Sequence, residues 1–133
     1  MTRHFHAYAY TGRAFTDGQV LKGEAPSNYA PFLIADWLAR PARTIAESFT
    51  DPEQAAKWLR GEMEAHPPID AESFSIDTRM GYAESTLRQE RGADVVWGYY
   101  AKGQYVSRAV ICCPRVEAPQ PGKAAAACPE GRG

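Results

Sequence analysis

Asp94–Pro114 reads DVVWGYYAKGQYVSRAVICCP. Two runs dense in Val, Ile, Trp and Tyr flank Ala101-Lys102-Gly103-Gln104, a pattern that predicts a β-hairpin turning at Lys102-Gly103. A hairpin of this length commits the chain to a sheet. It also decides which side chains share a face, because successive strand residues point to opposite sides. Trp97 and Tyr99 then form one row, and Tyr105 and Ser107 another.

A second strand is predicted over residues 3–11, RHFHAYAYT. His4, His6, Tyr8 and Tyr10 alternate with Phe5, Ala7 and Ala9, so one face is aromatic and polar and the other small and apolar. Further strands are predicted over 19–24 and 44–49. Ser27 or Asn28 caps a helix running to about Arg40, with Pro31 in its first turn, Ala30, Ile34, Trp37 and Leu38 on its apolar stripe, and Pro41 as the stop. The next helix is the best marked. Asp51 is its N-cap, Pro52 stands at N1 and Gln54 at N3, Ala55, Leu59 and Met63 recur at helical spacing with Trp58 alongside, and Pro67-Pro68 ends it. A last helix is predicted over 78–91, with Met80, Ala83 and Leu87 inward.

The resulting order, β(β)αβαα-ββ, predicts an α+β domain over residues 1–114. Its sheet is mainly antiparallel, two or three helices pack on one face, and the hairpin lies at its C-terminal end. Residues 115–133 are rich in Pro, Gly and Ala and offer little apolar area to offset the entropy of ordering, so they read as a disordered tail. A length of 133 residues fits one domain and makes two improbable.

Charge and cysteine usage narrow the function classes. A net charge of −1 argues against strong non-specific binding to nucleic acid, which requires a basic footprint. No apolar run approaches the ~20 residues that span a bilayer, and MTRHFHAYAYTGR lacks the apolar core of a signal peptide. Arg outnumbers Lys, with Ala, Gly and Pro frequent, the bias of a GC-rich bacterial genome. Three cysteines, Cys112, Cys113 and Cys128, are odd in number and two are adjacent, which fits a reducing, cytoplasmic setting better than a disulfide framework.

Three constellations bear on chemistry. His4-x-His6 places two imidazoles on one strand face, about 7 Å apart by strand rise. Two donors do not make a metal site. Cys112 or Cys113 could add a third, and only one of them can point to a given face. No CxxC or HExxH spacing is present, so no metal and no cofactor is assigned. The aromatic rows, with Arg108, could stack bases if they formed an open sheet face. The plainer alternative is that large aromatics fill a core. Finally, His4 or His6 as a general base with Glu47 or Arg108 would suit a small hydrolase or nuclease, although no GxSxG, P-loop or dinucleotide fingerprint supports it.

The reading that follows is a non-catalytic binding or regulatory protein acting through protein–protein contacts. Its candidate binding residues are His4, His6, Tyr8, Tyr10, Trp97, Tyr99, Tyr105 and Arg108, and its partner is another protein rather than a membrane. The hydrolase or nuclease and the single-stranded nucleic-acid binder stand as alternatives. The convergence of His4, His6, Glu47 and Arg108 in one pocket discriminates between them. A functional face on the first strand further requires His4 and His6 to be accessible.

Overall fold

Four strands, β1 (His4–Gly12), β2 (Glu47–Phe49), β3 (Val95–Ala101) and β4 (Gln104–Cys113), make one antiparallel sheet in the order β2-β1-β4-β3. The computed structural model describes residues 4–31, 34–89, 93–113 and 128. Helices α1 (Asp17–Leu21), α2 (Ile34–Ala39), α3 (Pro52–Ala65) and α4 (Ile76–Leu87) complete an α+β fold. The hairpin β3–β4 turns at Lys102-Gly103, where Gly103 takes φ +75°, a left-handed conformation open to glycine at little cost. Among the described residues, no helix is long and apolar enough to cross a membrane.

Both faces of the sheet are covered. On one, Phe5, Ala7, Val95, Val110 and Cys112 meet Ala55, Ala56 and Leu59 of α3 and Met80, Ala83 and Leu87 of α4. The small side chains of Ala7 and of Ala55-Ala56 let helix and sheet approach closely. Each large apolar side chain removed from water here contributes about 1.5–3 kcal/mol. On the other face Tyr8, Ala109, Ile111 and Cys113 lie under Trp37 and Leu38 of α2. Two helices, α3 and α4, pack together on one face, as the order of elements predicted, and α2 covers the other. Tyr8 and its neighbours present too much apolar area to be left to solvent.

Local chemistry explains where the elements differ from expectation. The stretch 19–24 is not a strand. Thr16 Oγ1 accepts from the Gln19 N–H at 3.1 Å and Gln19 Oε1 accepts from the Thr16 N–H at 2.9 Å, a reciprocal cap that nucleates α1. The helix closes with the Gly23 N–H donating to Val20 O and the Glu24 N–H to Gln19 O, with Gly23 at φ +76°, the Schellman arrangement.

Residues 27–31 are not helical either. Tyr29 is held by tertiary contacts: its ring meets Tyr10 and Phe15 edge-on at 5.0 and 5.2 Å, and its hydroxyl accepts from the Phe15 N–H at 3.0 Å. Helix α3 follows its signals, with Asp51 as N-cap accepting from the Glu53 N–H at 2.9 Å. Helix α4 begins two residues earlier than predicted because Ser75 caps it, accepting from the Thr78 N–H at 3.1 Å. Apart from Cys128, the tail assigned to 115–133 lies outside the described residues.

Candidate metal centre

The register of β1 against β4 brings the first strand's histidines to the last strand's end. His4 lies opposite Cys113, and His6 opposite Ile111. Because side chains alternate along a strand, Cys113 shares the face of His4 and His6, while Cys112 turns to the other side and is buried against α3 and α4. Cys128 packs onto the same cluster as Cys113, Tyr8 and Trp37. One donor atom from each of His4, His6, Cys113 and Cys128 falls within 4.8 Å of all the others. The Cys128 Sγ is 3.1 Å from the Nε2 atoms of both His4 and His6.

These spacings suit one ion at the centre of the group. Zinc bond lengths of about 2.0–2.3 Å to imidazole nitrogen and thiolate sulfur set tetrahedral edges of roughly 3.3–3.8 Å, so the donors need shift only a little to bind. Two thiolates and two imidazoles form a borderline-soft set that selects Zn²⁺ over the hard cations Mg²⁺ and Ca²⁺.

The surroundings orient the donors. His6 is completely buried. Its Nδ1 stands 2.8 Å from Ser48 Oγ, on the β2 residue directly opposite it. With Nε2 as the metal donor, Nδ1 carries the proton and donates to that hydroxyl. Such an outer partner fixes both tautomer and ring plane. The rings of His4 and His6 meet edge-to-face at 4.9 Å, so their Nε2 atoms converge on the sulfur of Cys128.

The other candidate binding residues are distributed differently. Tyr8 and Tyr10 are buried, Tyr8 against Trp37 at 6.5 Å between ring centroids. The accessible face expected on β1 is thus absent at His6, Tyr8 and Tyr10, because Cys128 and Ser48 pack on His6, Trp37 and Leu38 on Tyr8, and Tyr29 on Tyr10. Trp97 and Tyr99 stand on the opposite face, half-buried. The Tyr99 hydroxyl donates to His66 O at 2.9 Å, and burial raises its pKa. Tyr105 lies over Gly98 on the histidine face, between Tyr29 and Tyr100.

Arg108 is a structural residue. It is buried on the α3 side and donates to Glu62 Oε1, Tyr10 O, Ser107 O and Thr11 Oγ1 at 2.8–2.9 Å. Glu47 pairs with Ala7 and Arg108 with Ala9, which places both on the face away from His4 and His6. The base-and-partner constellation considered for a hydrolase is therefore not assembled.

The expectation of no metal rests on the absence of a CxxC or HExxH spacing, with one of Cys112 and Cys113 as a possible third donor beside His4 and His6. The fold selects Cys113 and adds Cys128. Cys128 lies in the segment read as a tail, and its only signal in the sequence is being the third cysteine of an odd set. Ser48 carried no signal, since its role exists only through the pairing of β2 with β1. No protein family, curated protein or solved structure matches the chain.

Proposed function

We propose that this is a zinc-binding protein in which His4, His6, Cys113 and Cys128 hold one Zn²⁺ and tie the chain near Cys128 to the end of the central strand pair. The observation that carries this reading is the convergence of four donors, drawn from β1, β4 and the tail, within 4.8 Å. Four protein donors fill a tetrahedral zinc shell and leave no position for water or substrate, the mark of structural rather than catalytic sites. The role is therefore non-catalytic: the ion stabilises a binding domain. Metal binding here is linked to folding, because a donor set drawn from positions so far apart in sequence does not exist in the unfolded chain.

The test is metal content and spectroscopy on the reduced full-length protein. One Zn²⁺ per chain is expected by elemental analysis. Co²⁺ in its place should give the intense visible bands of a tetrahedral site together with thiolate-to-metal charge transfer. Cys113→Ser and Cys128→Ser should each weaken the charge-transfer band and the affinity. A reduced, folded protein that takes up no stoichiometric Zn²⁺ or Co²⁺ would refute the proposal, as would full binding by Cys128→Ser.

A further inference from the structure

Scattered exposed apolar residues are ordinary on a protein surface; their concentration in one place is not. Of the six large apolar side chains most exposed among the described residues, five (Ile69, Phe74, Tyr82, Val96 and Tyr100) line a single groove. It runs between α4, the 68–74 loop and the edge strand β3, and encloses about 550 Å³. That is the size of a site for a small molecule. It is concave, unlike the flat surfaces of about 800 Å² per partner through which proteins usually meet.

Arg79 on α4 supplies the polar group in this wall. It is nine-tenths buried. Its Nε donates to Phe74 O at 3.1 Å and its Nη2 to Asp70 Oδ1 at 2.5 Å. The guanidinium lies over the Phe74 ring at 4.6 Å, with Tyr99 at 5.9 Å. Two of its three nitrogens are thus fixed, and Nη1, with two N–H donors, has no protein partner among the described residues. Asp70 is largely exposed, so water screens its charge, whereas the guanidinium beside it is desolvated and held rigidly.

We propose that this groove binds a small molecule with a flat apolar body and a single carboxylate. The body lies between Phe74 and Tyr82 on one side and β3 on the other, and the carboxylate accepts from Arg79 Nη1. A cationic ligand would meet a buried positive charge. A ligand without an acceptor would leave the Nη1 donors unpaired, which is costly once they are covered, and a neutral carbonyl would accept from Nη1 without the added strength of a charged acceptor. The proposal is independent of the zinc reading, since Arg79 packs on the sheet face opposite His4 and His6.

The test uses the full chain and three probes of one shape: 2-naphthoate, 2-naphthamide and 2-naphthylmethylammonium. Binding is followed by Trp fluorescence and by amide and indole shifts in two-dimensional NMR. Naphthoate should saturate and move Gly98, Tyr100, Tyr82 and the Trp97 indole. The amide should bind about tenfold or more weakly, the loss expected for a charge-assisted hydrogen bond, and the ammonium more weakly still. Arg79→Gln should bring naphthoate down to the level of the amide, and Asp70→Asn should leave it unchanged or tighten it.

The comparison among probes needs no variant, so it decides the matter even if Arg79→Gln fails to fold. Naphthoate shifts that are absent or scattered elsewhere overturn the proposal. So does equal binding of all three probes, or preference for the cation.

Discussion

Ser48→Ala should loosen the metal without touching a ligand. In the folded protein Ser48 Oγ stands 2.8 Å from Nδ1 of the buried His6. Removing the hydroxyl frees the imidazole to rotate and leaves its N–H without that acceptor. Loss of such an outer partner typically costs about 10–100-fold in metal affinity, or roughly 1.4–2.7 kcal/mol. With Zn²⁺ in excess over both dissociation constants, the stabilisation of the folded state falls by the same amount. For a domain of this size each kcal/mol moves the midpoint by roughly 3–6 °C, so the zinc-loaded variant should melt about 5–15 °C below the zinc-loaded parent.

Without metal the difference should be small. Ser48 is exposed, and a solvent-replaceable neutral hydrogen bond contributes only about 0.5–1.5 kcal/mol. The assay is thermal melting with Zn²⁺ and with a chelator, plus competition against a chromophoric chelator for the affinity itself. Ser48→Thr, which keeps the hydroxyl on a strand-favouring residue, should restore most of the loss. Equal zinc affinity in Ser48→Ala and the parent would refute the reasoning, as would an equal melting deficit with and without metal.

Deletion of 117–133 removes Cys128 and should abolish stoichiometric zinc binding while leaving a folded α+β domain, checked by metal content beside far-ultraviolet circular dichroism. Leu59→Ala, at a position wholly out of water, should cost about 2.7–5 kcal/mol in urea denaturation. Trp58→Ala should cost distinctly less, because Trp58 is only partly buried. Gly98→Ala would set a methyl group 2.2 Å from the Tyr105 hydroxyl oxygen, so it should lower the melting temperature by several degrees, and Tyr105→Phe in the same chain should recover part of the loss. An additive double variant would show that the clash lies elsewhere.

The sequence alone determined those elements whose instructions are local. The hairpin followed from β-branched and aromatic runs around Lys102-Gly103, and α3 from Asp51, Pro52 and the spacing of Ala55, Leu59 and Met63. Together with the first strand's alternation these were enough for the α+β class. The same alternation put His4 and His6 on one face and allowed only one of Cys112 and Cys113 to join them.

Which cysteine joined was a matter of register, and register is set between strands, by which faces find cover. Tertiary structure therefore chose Cys113. It brought Cys128 back from the end of the chain, set Ser48 against His6, and covered with α2 the row that alternation alone could have left open. Arg108 and Arg79 make the same point in the other direction. Nothing in the sequence distinguishes these two arginines as groups with different work. Only packing ties Arg108 to Glu62 and three further acceptors, and only packing sets Arg79 in the wall of an aromatic groove. Residues within a few positions of one another interact whatever the rest of the chain does. A site assembled from positions 4, 6, 48, 113 and 128 exists only once the chain has closed on itself.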